Sequence, residues 1–180
     1  VYSHLGDPIL VAKYWEEEGA TLLHLVDLDA ALHQGSNLAL VRRIVREVNI
    51  PVQFGGGVRT SSLAMEVLDA GVFRVILGSL AFNQPSVLAH LIREFGDERV
   101  MVALDHKQGL VMVGGWSKPT NIRVREAIRT FKRQRVKNFL VTTILRDGTL
   151  TGTDYKTLEN ICRHHADVNI YAAGGVKSLN

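Results

Sequence analysis

The residues whose types and spacing can do chemistry are three glycine-rich turns, a few isolated carboxylates and one tryptophan. Gly55-Gly56-Gly57 has no side chains to hold a ligand off the backbone. Its N–H groups, together with the N-terminus of a following helix, can bind an anion. Gly78-Ser79 adds small residues and a hydroxyl after the next apolar run, and Gly174-Gly175 offers half of a second cradle. A lone Gly-Gly pair reads more simply as a tight turn, but three glycines that recur as a pair favour the anion reading. Asp105 follows the apolar run Val100–Leu104. A carboxylate there can exchange a proton if partial burial raises its pKa, and spacing alone allows a helix N-cap equally well. Asp27 and Asp29 flank Leu28 and fit the same two roles, one of them structural. Asp147, in Arg146-Asp147-Gly148-Thr149, is a turn-former, a second acid or a ligand-orienting group. Trp116 sits between Gly114-Gly115 and Ser117-Lys118-Pro119. It reads as a ring on a mobile loop that stacks on a heterocycle, or as a hydrophobic lid on the helical layer. His24 and His106 are acid–base candidates by residue type alone.

These residues need elements to position them, and the chain supplies two alternating kinds. Short apolar runs at Leu22–Val26, Pro51–Phe54, Arg74–Leu77, Val100–Leu104, Asn138–Thr142 and Asn169–Ala172 read as strands buried on both faces. Amphipathic stretches at Pro8–Glu18, Asn37–Val48, Ser61–Ala70, Pro85–Phe95, Arg123–Arg135 and Asp154–His165 read as helices. Pro8 and Pro85 suit a first turn, Ser61-Ser62 and Asp154 suit N-caps, and Gly19 and Gly71 suit stops. Strict alternation predicts right-handed βαβ units and an all-parallel sheet. The polar residues cluster just after the strand C-termini, the rim on which a barrel assembles its site. Phe54-Gly55-Gly56-Gly57-Val58 recurs as Ala172-Ala173-Gly174-Gly175-Val176, 118 positions later, and Leu25-Val26-Asp27 matches Leu140-Val141-Thr142. A half-barrel repeat explains that spacing, whereas an open doubly wound sheet does not require it. The expected fold is therefore an α/β (β/α)8 TIM barrel of half-barrel repeat type, with residues 1–180 in one domain.

Composition narrows the function classes. In 180 residues, 46% are hydrophobic and 22% charged, the balance of an ordered globular chain. The formal charge of +3 is small, and Lys and Arg are interspersed with acids rather than striped with aromatics, which argues against nucleic-acid binding. No apolar run approaches the roughly 20 residues of a membrane span, and no basic-then-apolar leader stands at the N-terminus. A cytoplasmic location follows as the expectation. Cys162 is the single cysteine, which excludes an internal disulfide, and no spacing suggests a metal site.

Taken in order, Leu25-Val26-Asp27-Leu28-Asp29-Ala30-Ala31, Phe54-Gly55-Gly56-Gly57-Val58-Arg59, Leu77-Gly78-Ser79, Ala103-Leu104-Asp105, Gly115-Trp116, Arg146-Asp147-Gly148-Thr149-Leu150 and Ala173-Gly174-Gly175-Val176 form a recognisable set. The set resembles the phosphoribosylformimino-5-aminoimidazole carboxamide ribotide (ProFAR) isomerases of histidine biosynthesis. The resemblance implies an aldose–ketose isomerase that carries out an Amadori rearrangement on a bis-phosphorylated substrate, with no cofactor, no metal and a monomeric state. It implies that Asp105 is the general acid, that Thr142 orients the ligand and that Asp147 is the aspartate of the loop after that strand. It assigns one phosphate to Gly56, Gly57 and Ser79, the other to Gly174 and Gly175, and stacking on the imidazole carboxamide to Trp116. It also implies that strands two to seven are present here. The first strand, with a second catalytic aspartate, is expected before Val1, and the eighth after Asn180. The other readings are the cyclase subunit of imidazole glycerol phosphate synthase, an isomerase serving both histidine and tryptophan pathways, and a non-catalytic phosphate-binding fragment.

Overall fold

The computed structural model describes residues 6–178. The chain forms two compact units that divide between Ile76 and Leu77.

In the first unit, α1 (Pro8–Glu17), β1 (Leu23–Val26), α2 (Leu28–Ala31), α3 (Leu38–Glu47), β2 (Val52–Gly55), α4 (Ser61–Asp69) and β3 (Arg74–Leu77) follow one another. The three strands are parallel and in sequential order, with Val26 opposite Gly55 and Phe54 opposite Val75. Strands β2 and β3 are buried at every position, as expected for runs without polar alternation. Ile9 and Ala12 of α1, Ile44 of α3, Val48, Leu23 and Val52 make one apolar cluster. Helix α1 starts at Pro8 behind Asp7, whose side chain accepts from the Ile9 N–H at 2.9 Å. Helix α4 is capped by Thr60 and not by Ser61-Ser62: its Oγ1 accepts from the Leu63 N–H at 3.2 Å.

The second unit runs α5 (Ser79–Asn83), α6 (Ser86–Phe95), β4 (Val100–Lys107), β5 (Leu110–Val113), β6 (Lys118–Arg123), α7 (Val124–Lys132), β7 (Asn138–Thr143), α8 (Tyr155–His164) and β8 (Asn169–Ala173). Strands β4, β7 and β8 are parallel neighbours. Val100, Val102, Leu104 and Phe139 are fully buried, as are Leu88 and Leu91 of α6 and Ile128 of α7. Phe82 meets Phe131 of α7 edge to face, ring centroids 5.0 Å apart. Asp154 caps α8 as expected, its Oδ1 accepting from the Thr157 N–H.

The all-parallel expectation is corrected here. Strands β5 and β6 form an antiparallel hairpin on the end of β4, which itself runs three residues past Leu104. Gly109 and Gly114, both at positive φ, permit the two reversals. The alternation of helices with mostly parallel strands remains the order of a (β/α)8 barrel. Among the described residues β1 pairs only with β2 and β8 only with β7, so the sheet is not closed.

Candidate active site

Asp105 lies within β4, not after it, which removes the helix-cap reading. Strand alternation buries Val100, Val102, Leu104 and His106 on one face and turns Asp105 to the other. The register with β7 sets Asp105 opposite Thr142 and His106 opposite Thr143. Partners in a parallel pair share a face, so Asp105 and Thr142 stand side by side and the Thr142 hydroxyl hydrogen-bonds the carboxyl. The Trp116 indole N–H donates to Asp105 Oδ2 at 2.8 Å. Burial pushes the Asp105 carboxyl above the ordinary carboxylate range, and the nearby charge of Asp147 adds to the rise. The hydrogen bonds from Thr142 and Trp116 act in the opposite direction.

Trp116 is therefore anchored rather than loose. It sits at φ 68° in the turn between β5 and β6, and the turn is itself held to α5: the Gly114 N–H donates to Ser79 Oγ at 2.8 Å. The Ser117 hydroxyl closes the same turn on the Gly114 carbonyl at 2.7 Å. Ser79 thus carries a bond of which the residue pattern was no sign. Substituting Trp116→Phe removes a donor to the charged form of Asp105. The Asp105 pKa should rise further, and an NMR titration of its carboxyl carbon checks this; a fall would contradict the geometry.

The glycines are packed as well as bare. Gly174 and Gly175 are buried at φ 88° and 81°. A Cβ on Gly174 would lie 2.6 Å from the Thr143 carbonyl oxygen, and one on Gly175 would lie 2.3 Å from that of Gly152. In the first unit, a Cβ on Gly56 would lie 2.5 Å from the Asp27 carbonyl oxygen and one on Gly57 2.3 Å from the Ala30 Cβ. The two loops therefore cross the end of the preceding strand in the same manner. Asp27 and Thr143 even share the same dihedrals, φ −83° and ψ 93°. Val26 faces Gly55, and Thr142 faces Ala173. Thr142 is thus level with Val26, and Asp27 with Thr143, one position away from the pairing of Asp27 with Thr142 that the sequence suggested.

Asp27 proves structural. It is 4% exposed, caps α2 by accepting from the Ala30 N–H at 3.0 Å, and accepts from the Asn37 N–H at 2.7 Å and side-chain amide at 2.9 Å. The same amide reaches Asp29 at 2.9 Å. His24 Nδ1 lies 3.1 Å from Gln53 Nε2, and Gln53 in turn accepts from Arg74, both of them buried. Asp147 is exposed on the loop after β7. A cleft of about 590 Å³ between α7 and α8, lined by Arg123, Arg129, Lys156 and His165, contains none of the site residues. Among the described residues no cluster of three or more His, Cys, Asp or Glu is placed to hold a metal ion, and no helix is long and apolar enough to cross a membrane.

A family model described as "Histidine biosynthesis protein" matches residues 1–180. A protein of Cenarchaeum symbiosum (strain A) named 1-(5-phosphoribosyl)-5-((5-phosphoribosylamino)methylideneamino)imidazole-4-carboxamide isomerase is 39% identical over 176 residues, 98% of this chain and 74% of that protein. Relatives with the same name in Nitrosopumilus maritimus (strain SCM1) and Halothermothrix orenii (strain H 168) are 35% and 38% identical over 183 and 179 residues. The matches span 100% and 99% of this chain and 75% and 74% of those relatives.

Proposed function

This chain belongs to the histidine biosynthesis protein family, and from that premise we propose that it acts as the isomerase its relatives are named for. The reaction converts the bis-phosphorylated aminoaldose, an imidazole carboxamide ribotide, to the aminoketose. The observation that carries the reading is the Asp105 carboxyl, raised in pKa by burial and set between Thr142 and the Trp116 indole. An acid of that kind retains its proton nearer neutrality than an exposed aspartate does.

Asp105 protonates the ribose ring oxygen, the C1–O bond breaks, and nitrogen forms a C1=N iminium. A base removes the C2 proton to give an enaminol. C1 then gains a proton as the C2 hydroxyl loses one, which leaves a ketone at C2 and a methylene at C1. Atoms and electrons balance without any external oxidant or reductant. Thr142 orients the substrate beside the acid, and Asp147 supplies a second carboxylate from the adjacent loop. Its negative charge also helps to keep Asp105 protonated. Trp116 stacks on the imidazole carboxamide while its N–H holds Asp105. The backbone amides at Gly56 and Gly57 bind one phosphate and those at Gly174 and Gly175 the other, and the Ser79 hydroxyl is a phosphate ligand as well. Residues 55–58 and 173–176 are then corresponding parts of a half-barrel repeat.

The test is to incubate the protein with the aminoaldose and follow proton NMR for a new C1 methylene. Substrate and product have the same mass, so this signal is the direct readout. Substrate returned unchanged would overturn the assignment. In the same assay Asp147→Asn should lower turnover and shift the Asp105 pKa downward, since it removes a repelling charge; an unmoved pKa would leave Asp147 without that electrostatic role.

A further inference from the structure

His106 is the buried titratable group that the chemistry above does not use. It is 1% exposed and sits on the face of β4 opposite Asp105. Its two ring nitrogens are both engaged. Nδ1 accepts from the Gly109 N–H at 3.2 Å, and Nε2 lies 3.2 Å from Thr143 Oγ1. A nitrogen that accepts from an amide carries no proton, so the ring proton is on Nε2 and is donated to Thr143. Burial holds the imidazole below its usual pKa, in keeping with a neutral ring, although Asp154 and Asp105 pull the other way. Lys107, the next residue along β4, is exposed.

The two groups joined by this ring lead to three parts of the site. Gly109 is the reversal from β4 into the hairpin that carries Trp116. Thr143 is the last residue of β7, next to Thr142. Thr143 is also the residue over which Gly174 passes, so closely that a Cβ there would meet its carbonyl oxygen at 2.6 Å. The tilt of the hairpin, the end of β7 and the Gly174 loop are therefore fixed to a common point.

We propose that His106 is a positioning residue for the isomerase: a neutral Nε2–H imidazole that ties the Gly109 turn to Thr143, holding the Trp116 hairpin, Thr142 and the Gly174 loop in their working geometry. The proposal rests on the isomerase reading. His106 touches no substrate and exchanges no proton with it; it acts through the groups it holds. Misplacing a reacting group by about 1 Å costs on the order of a hundredfold in rate, so two released anchors should register in kcat.

The experiment uses four proteins: wild type, His106→Asn, His106→Gln and His106→Leu. The Asn oxygen stands where Nδ1 does and can keep the Gly109 bond. The Gln amide stands where Nε2 does and can keep the Thr143 bond. Leu keeps neither. Turnover by the wild type establishes the parent reading first; if it is absent, that reading fails and the variants are judged by spectroscopy alone. With turnover present, His106→Leu should lower kcat by about 10- to 100-fold, and the Asn and Gln variants should each recover part of the loss. In a Trp15→Phe background, Trp116 fluorescence should change in His106→Leu and less in His106→Asn. Nitrogen NMR of the wild type should show an unprotonated Nδ1 and a protonated Nε2 through neutral pH. A kcat unchanged in His106→Leu, an equal loss in all three variants that simply follows their thermal stability, or the opposite tautomer overturns the proposal.

Discussion

Asp105→Asn should lower kcat by about 100- to 10,000-fold, the range that one general acid contributes, while leaving substrate affinity within a few-fold. The amide is isosteric, accepts the Trp116 N–H as the carboxylate does, and cannot deliver a proton to the ring oxygen. Unimpaired turnover in the NMR assay would remove Asp105 from the acid role. The same variant should be more stable than the wild type near neutral pH. The folded carboxyl has its pKa raised, chiefly by burial, so the folded state binds that proton more tightly than the unfolded chain does. The contribution of this group to stability is complete below the unfolded pKa and is lost as pH rises through the folded one. As pH rises through the folded pKa the wild type takes on a desolvated charge that asparagine lacks. Urea melts at mildly acidic and neutral pH check the sign: the advantage of the variant should grow with pH. A variant less stable at neutral pH would mean that the carboxylate is favoured where it sits.

Gly175→Ala should be the most damaging small substitution in the second unit, destabilising by about 2 to 4 kcal/mol from left-handed strain and overpacking together. Its Cβ would arrive 2.3 Å from the Gly152 carbonyl oxygen. That oxygen belongs to backbone, and Gly152 is already tied to the loop by its N–H bond to the Gly175 carbonyl at 2.8 Å and by Arg146, which donates to the Gly152 carbonyl at 2.9 Å. Neither side can yield without breaking a contact. The rise in KM should exceed the fall in kcat, because the loop is proposed to hold a phosphate rather than the reacting carbon. Gly148→Ala makes the control: it has positive φ but nothing within 4 Å of its Cβ, so it should carry the strain alone. Equal losses in the two would show that crowding at Gly175 is unimportant.

What the sequence made legible followed its periodicities. All six expected strands are present, with α1 before them and α3, α4, α6, α7 and α8 among them, but the expectation of burial on both faces fails at two: β1 buries only Leu23 and β8 buries no residue. The hairpin was hidden because β5 is four residues long and β6 begins Lys118-Pro119, a polar start that does not read as strand. The last three residues of β4, Asp105-His106-Lys107, are polar and therefore looked like loop, although the pairing of β4 with β7 and β5 continues through them. Helices α2 and α5, of four and five residues, are too short to show a helical period. At the site, Asp105 was legible as a carboxylate on a strand end. The role of His106 was not, since it depends on a turn that closes back on the ring and on the register of a strand more than thirty residues later. Asp27 illustrates the converse: its position allowed chemistry or a cap alike, and the Ala30 and Asn37 bonds decide for the cap.

The register that sets Asp105 beside Thr142 also decides which changes in chain length this protein can absorb. Side chains alternate faces with a period of two, so slipping β4 by one residue against β7 would turn His106 and the apolar set Val100, Val102 and Leu104 to the site face and bury the Asp105 carboxylate against Phe139 and Val141 of β7. A one-residue deletion inside Val100–Leu104 is thus equivalent to losing the acid outright. Added residues at the Gly114–Ser117 reversal leave that alignment untouched, so length variation among relatives should collect at the hairpin tip and avoid the strand behind it.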